Sequence, residues 1–294
     1  GGPTAYLRSP DRAAGELPAH VDGVVRCACR GEPTVAIVEA AYRHADLPAR
    51  YINCEVHPDD LDAAIAGAWG MGWRGFNCSL PHKVAVIAYL DELAESARLI
   101  GAVNCVVIGR DGKLTGYNTD GQGFIVSLRT VCDPAGKRVV VLGAGGAARA
   151  VAVESALAGA AHVTVMSRNP GPGQVVVDLV RAAGGSGDWG KWHPGEAIDP
   201  LTEILVNTTP VGMFPEVHAV PPIDYNSILP SMYVADLVSN PRQTQFLLRC
   251  AHMGATTLSG TYMLVNQAIL GVEMWTGVRP DFAVMHDELV KVLS

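Results

Sequence analysis

A chain of 294 residues is long enough for two domains, and 49% hydrophobic residues with 32 glycines spread over short turns is an ordinary α/β composition. A formal charge of −7 leaves no basic stripe to neutralise phosphates, which excludes general nucleic-acid binding, and no apolar run reaches the length of a membrane span. Seven cysteines without C-x-x-C spacing and nine histidines without a cluster of acids or cysteines argue against a disulfide framework or a metal site. The first ten residues lack a basic-then-apolar leader pattern, so the expected location is the cytoplasm.

Val21 to Cys29 reads as a first strand, with Cys27 and Cys29 on one face for packing. Gly31-Glu32-Pro33-Thr34 is a turn that opens a helical run from Val35 to Leu47. A strand follows over Arg50 to Val56, then a helix entered through Pro58-Asp59-Asp60. Gly75 to Leu80 is the third strand, and Lys83 begins another helical stretch. This alternation predicts a parallel sheet. Arg110-Asp111-Gly112-Lys113, between Cys105–Ile108 and Leu114–Tyr117, predicts a hairpin turn. A helix from about Gly121 to Val131 leads to the strand Arg138–Leu142, the helix Ala147–Ala158 and the strand His162–Met166. Gly184 to Gly187 reads as a surface loop, Ile204–Asn207 and Tyr233–Leu237 as strands, and Tyr262–Trp275 and Phe282–Leu293 as closing helices. No internal repeat is present.

Two residues stand out in the first half. Lys83 ends the run Asn77-Cys78-Ser79-Leu80-Pro81-His82-Lys83, and Asp120 ends Tyr117-Asn118-Thr119-Asp120. Each follows a strand-like run and sits among amide and hydroxyl side chains, a setting suited to proton transfer on a small polar molecule. Reduction of a ketone by hydride transfer leaves an alkoxide that needs a proton, which a partly buried lysine oriented by an aspartate can donate. Taken singly, Lys83 also reads as a first-turn surface lysine and Asp120 as the N-cap of its helix.

The second half begins with a dinucleotide signature. Gly143-Ala144-Gly145-Gly146-Ala147-Ala148 follows a β-branched strand and opens a helix, the context that gives a G-x-G-x-x-A pattern meaning. Gly143 allows the tight turn, and Gly145 lets the backbone approach a pyrophosphate. The amides around Gly146 and Ala147 supply partial positive charge. Where an NAD site places a carboxylate at the end of the next strand, this chain has Ser167-Arg168-Asn169. An arginine there pairs with the extra 2′-phosphate, so the expected cofactor is NADP, with Arg149 as a second phosphate candidate.

Several phrases in order resemble the shikimate dehydrogenase family: Asn77-x-Ser79-x-Pro81-His82-Lys83, Ile100–Asn104, Gly116–Gly121, Asn207-Thr208-Thr209-Pro210-Val211-Gly212-Met213, Asp236 with Asn240-Pro241, and Ser259-Gly260 with Met263-Leu264 and Gln267. The resemblance covers roughly residues 20 to 290. It implies an α/β chain with a mainly parallel substrate domain over 1–120 plus about 260–294, and a Rossmann-type NADP domain over 121–259. The last helices would return to the first domain, with the active site in the cleft. It implies NADPH-dependent reduction of 3-dehydroshikimate to shikimate, or action on quinate, an aminoshikimate or another cyclic hydroxy acid, by a monomer or homodimer. Lys83 and Asp120 become the catalytic pair. Thr34, Asn77, Ser79, Asn104 and Gln267 become substrate contacts. Asn207, Thr208, Met213 and Gly260 join the cofactor residues, Met213 flanking the nicotinamide. A catalytically silent NADP-binding regulator is the rival reading, against which the presence of both Lys83 and Asp120 argues.

The chain departs from the family at the substrate carboxylate. Members usually carry two hydroxyls and a nearby histidine after the first strand. Those positions here hold Glu32, Thr34 and Val35, with Val38 for the histidine, and Ser239 replaces a substrate-contacting tyrosine. One lost hydrogen bond to a charged group costs about 1.5–3 kcal/mol. A carboxylate about 4 Å from another adds roughly 1–4 kcal/mol of repulsion. Together these weaken binding of a carboxylate substrate by about two to five orders of magnitude, unless Glu32 points to solvent or the alignment slips.

Overall fold

The computed structural model describes residues 20–26 and 33–294. Chain contacts divide it into two compact units, one of residues up to 119 with 268–292, the other essentially 120–267. The reading of Cys27, Cys29 and the 31–32 turn lies outside the described residues. No helix among the described residues is long and apolar enough to cross a membrane.

The first unit contains β1 (His20–Arg26), α1 (Pro33–His44), β2 (Ala49–Glu55), α2 (Leu61–Gly70), β3 (Gly75–Cys78), α3 (His82–Ala85), β4 (Glu92–Leu93), α4 (Glu95–Ile100), β5 (Cys105–Ile108) and β6 (Leu114–Tyr117). Its sheet runs in the order β2-β1-β3-β5-β6-β4. β1 pairs in parallel with β2 and β3, whereas β5 is antiparallel to both β3 and β6. β4 pairs in parallel with β6, so the sheet is mainly parallel as expected, with an antiparallel part around β5. The predicted hairpin is the reason: Gly109 N–H reaches Lys113 O at 2.8 Å, Gly112 turns the chain with φ +81°, and the Asp111 carboxylate accepts from Lys113 N–H at 3.1 Å. So tight a turn can join only antiparallel strands.

The second unit opens with α5 (Thr119–Leu128), continues through β7 (Arg138–Leu142), α6 (Gly146–Leu157), β8 (His162–Ser167), α7 (Pro170–Ala182), β9 (Gly187–Lys191), β10 (Glu196–Ala197), β11 (Ile204–Asn207), β12 (Ile223–Asp224), β13 (Tyr233–Asp236), α8 (Gln245–His252) and β14 (Thr256–Leu258), and ends in the first turns of α9 (Gly260–Thr276). Its sheet is wholly parallel, in the order β14-β13-β11-β7-β8-β9. Strand order reverses at the β7–β11 pair, the switch point where open α/β sheets bind ligands. One sheet face buries Val139, Val141, Val163 and Val165 beneath Val151, Ala152, Val176 and Val180 of α6 and α7. These alternating valines are the pattern a doubly covered parallel strand requires.

Gly184 to Gly187 is a tight turn that starts the edge strand β9. A Cβ on Gly187 would lie 2.8 Å from Val163 O, so the glycine lets the strand close on β8.

The C-terminal helices pack as expected on the first unit. α10 (Phe282–Val292) lies against α1, and Trp275 of α9 donates from Nε1 to Val106 O at 3.0 Å while its ring stacks on Tyr51. In the second unit, α9 meets α5 closely: Asn266 donates to Ser127 Oγ at 2.9 Å, and Ser127 donates to Gly123 O at 2.7 Å. A Cβ on Gly123 would lie 2.7 Å from Gln267 N and 3.0 Å from its Cα. Because backbone cannot yield as a side-chain tip does, Gly123→Ala is expected to lower unfolding stability by about 1–3 kcal/mol. Thermal unfolding of the variant checks this, and an unchanged Tm would contradict the tight approach.

Candidate active site

In the first unit the candidate residues gather around Asn104, which is 3% exposed just before β5. Asn104 O accepts from Cys78 N–H at 2.8 Å and from Asn77 Nδ2 at 2.9 Å, and Asn104 N–H donates to Tyr117 O at 3.1 Å. Its side chain grips Thr119: Oδ1 accepts from Thr119 N–H at 2.7 Å, and Nδ2 donates to Thr119 Oγ1 at 3.0 Å. The polar ends of β3, β5 and β6 are thus held in one network, and Asp120 is the next residue after the one it grips. α5 begins at Thr119, so Asp120 sits inside the first helical turn rather than at the N-cap.

Lys83 is the second residue of α3 and is half-buried. Its carbonyl accepts from Val103 N–H at 2.8 Å, which ties α3 to the residue before Asn104. His82 anchors the same loop: it is 1% exposed and its Nε2 lies 3.0 Å from Val56 O, so that nitrogen carries the proton. The positive charge of Lys83 is felt by Cys78, whose thiol burial still pushes up to about 12. Cys78 therefore stays a neutral core group.

Asn77 is buried, and its Oδ1 accepts from Tyr51 Oη at 2.5 Å. Tyr51 is a residue that sequence reading missed. Its only signal was a tyrosine at an inward position of an alternating strand. Ser79 is half-buried on the loop that follows. Thr34 is 6% exposed in the first turn of α1, Val35 is half-buried and Val38 is fully enclosed. Glu32 lies outside the described residues.

The second unit carries the candidate cofactor site at the β7–β11 switch point. Gly143 has φ +113°, and a Cβ there would sit 2.8 Å from Thr208 Oγ1 and 3.1 Å from Thr209 Cγ2. The fold itself requires glycine at 143. Gly145 and Gly146 differ: both are exposed, neither has positive φ, and a Cβ on either would meet nothing within 4 Å. Nothing in the protein demands glycine there. α6 starts at Gly146 with no side-chain cap on its first-turn amides, and the Nε of Arg149 is enclosed without a hydrogen-bond partner. Arg168 is exposed at the end of β8. Open backbone, uncapped amides and unspent arginines fit a pyrophosphate with an additional phosphate.

Other predicted cofactor residues lie behind this surface. Ser167 is 6% exposed, donates to Asn169 O at 2.8 Å and accepts from Trp189 Nε1 at 2.9 Å. Asn207 is fully enclosed, with its amide spent on Asp236 and Thr209. Thr208 donates its hydroxyl to Leu142 O at 2.6 Å. These side chains shape the crevice from within instead of facing it, because the strand ends they occupy leave backbone groups to satisfy. Ala147 is half-buried in the first turn of α6, and Met213 is 46% exposed. Gly260 abuts the exit of β13, where a Cβ would lie 2.5 Å from Val238 O. Gln267 is 6% exposed and donates to Leu264 O at 3.1 Å.

Known proteins match this arrangement. Residues 33–106 match the shikimate dehydrogenase substrate binding domain, and residues 260–290 match the shikimate 5′-dehydrogenase C-terminal domain. A shikimate dehydrogenase (NADP(+)) of Desulforamulus reducens is 39% identical over 88% of this chain and 90% of that protein. The chain belongs to the shikimate dehydrogenase family. A crystal structure of a shikimate dehydrogenase in complex with NADP+ superposes with TM-score 0.86 at 30% identity, covering 96% of this chain and 99% of that one. Within this family fold, the ligand-free 5-ketofructose reductase of Gluconobacter sp. strain CHM43 is 50% identical, with TM-score 0.91 over 94% of this chain and 100% of that one.

Replacing Tyr51 with Phe leaves a buried acceptor on Asn77 without its donor. Urea unfolding is expected to show a loss of about 1–3 kcal/mol, and an unchanged midpoint would contradict the Tyr51–Asn77 bond.

Proposed function

We propose that the chain is an NADP-dependent ketone–alcohol oxidoreductase of the shikimate dehydrogenase type, with the first unit binding substrate and the second binding cofactor. The observation that carries the cofactor half is the pair Gly145 and Gly146, glycines with open space that the protein does not need for itself. The amides of Gly146 and Ala147 hold the pyrophosphate, Arg149 and Arg168 take the additional phosphate, and the 208–213 segment with Met213 and Gly260 borders the nicotinamide. When bound, NADPH supplies a hydride to the carbonyl carbon. Lys83 donates the proton that the resulting alkoxide oxygen requires, and Asp120 orients the lysine. Thr34, Asn77, Ser79, Asn104 and Gln267 hold the hydroxyls around the reacting carbon. The enzyme works in the cytoplasm as a monomer or homodimer.

Family membership supports 3-dehydroshikimate and shikimate as the substrate pair. A second reading has specific support: the 50% identity to a 5-ketofructose reductase. A neutral polyhydroxy ketone has no carboxylate for paired hydroxyls to hold. Glu32 and Val35 at those positions then cost nothing, and Glu32 can accept hydrogen bonds from sugar hydroxyls. In a direct comparison, NADPH oxidation is expected to show higher kcat/KM with 5-ketofructose than with 3-dehydroshikimate. The reverse order would return the shikimate pair as the working substrate.

Lys83→Ala is expected to lower kcat by about 10²–10⁴-fold while NADPH binding stays near wild type. Substantial residual turnover would refute the proton-donor role. Arg168→Ala is expected to raise KM for NADPH about tenfold or more and leave NADH kinetics unchanged. Equal effects on the two cofactors would remove Arg168 from the phosphate site.

A further inference from the structure

The proposed chemistry makes no use of Asp236, a carboxylate 2% exposed at the end of β13. Its hydrogen-bonding partners are all neutral. Oδ1 accepts from Asn207 Nδ2 at 2.9 Å and Val238 N–H at 3.1 Å, and Oδ2 accepts from Thr244 Oγ1 at 2.6 Å. An ionised carboxylate can only accept. The Asn207 amide must therefore turn its NH₂ toward Asp236, which leaves Asn207 Oδ1 facing the chain ahead. There it accepts from Thr209 N–H at 3.1 Å and from Thr209 Oγ1 at 2.7 Å. With its proton spent, Thr209 Oγ1 accepts from Val211 N–H at 3.3 Å. Donor–acceptor polarity passes from Asp236 through Asn207 and Thr209 to Val211, two residues before Met213.

We propose that Asp236 is a positioning residue, whose acceptor-only carboxylate sets the Asn207 amide and through it the course of the 207–213 segment along the cofactor. The inference rests on the reading of that segment as cofactor-facing. A group able to donate at position 236 would let the Asn207 amide reverse and set its NH₂ against the Thr209 N–H, a donor-to-donor contact.

Burial pushes the Asp236 carboxyl up to about 6, against the lowering effect of the Thr244, Val238 and Asn207 hydrogen bonds. Among the described residues, the charge of Asp236 is felt by Tyr225 and Cys250, each pushed up by burial and neutral in this range, and Arg249, whose guanidinium lies over the Tyr225 ring, acts on that tyrosine. A raised carboxyl means that the folded protein binds the proton more readily than the unfolded chain. Native stability from this group is therefore greatest below the ordinary value of 3.8 and falls as pH rises through about 6.

Asp236→Asn separates positioning from simple scaffolding. It keeps the size, removes the charge penalty at neutral pH, and offers an NH₂ to its neighbours. Thermal unfolding, NADPH fluorescence titration and steady-state kinetics are compared with wild type at neutral pH and below the carboxyl's value. The expected result is an unchanged or higher Tm at neutral pH with NADPH affinity about tenfold weaker. The wild type should also lose more NADPH affinity than the variant as pH falls through about 6, because the ligand's 2′-phosphate takes up its proton in both while the carboxyl does so only in the wild type. Thr209→Val, which breaks the relay further along, should weaken NADPH by a similar factor and add little to Asp236→Asn. It decides the matter if Asp236→Asn does not fold. Wild-type NADPH affinity in the variants, or parallel loss of Tm and affinity in Asp236→Asn, would overturn the inference. A wild-type protein that binds no NADPH would instead remove the functional reading.

Discussion

The close approach of β7 to β11 at their carboxyl ends is the constraint on which the second unit depends. Leu142 and Asn207 are register partners, and just beyond them Gly143 takes a left-handed turn with Thr208 Oγ1 where a side chain would begin. Any other residue would force those strand exits apart. The strand order reverses at this pair, and α6 begins three residues after Gly143 with its first-turn amides uncapped by any side chain. The glycine that the protein needs and the two glycines it does not need follow one another within four positions.

A buried asparagine organises each unit in a similar way. Asn104 Oδ1 takes the N–H of Thr119, and Asn207 Oδ1 takes the N–H and hydroxyl of Thr209. In both places an amide at a strand end or just before one replaces the next ladder bond and steers the exit of a loop that carries candidate chemistry. The difference lies on the NH₂ side. Asn104 returns to Thr119, whereas Asn207 meets a carboxylate held at a cost by burial.

Much of this was legible in the residues. The β-branched run before Gly143 and the alanine-rich run after it could form little except a strand and a helix, and Arg110–Lys113 demanded a hairpin. The misses have physical causes. α7 opens on Pro170-Gly171-Pro172-Gly173, residues that signal a turn, yet proline suits a first helical turn and Gly173 is needed where Trp189 packs. Asp120 looked like an N-cap because the grip of Asn104 on Thr119, 15 positions away in sequence, starts the helix two residues earlier than expected. Ser167 at its strand end and Asn207 in its family phrase did not reveal that their side chains face inward. Polarity in a motif does not say which way a side chain points.

The proposed reaction type rests on Lys83 and Asp120, and the proposed choice of substrate on Glu32, Val35 and Ser239. The central claim is that the uncapped start of α6 is kept open for a nucleotide. NADPH fluorescence titration and thermal unfolding of Gly145→Ala test it most directly, since the new methyl meets no protein atom within 4 Å. An unchanged Tm with NADPH affinity reduced about tenfold or more is the predicted result. Wild-type affinity in that variant would contradict the account.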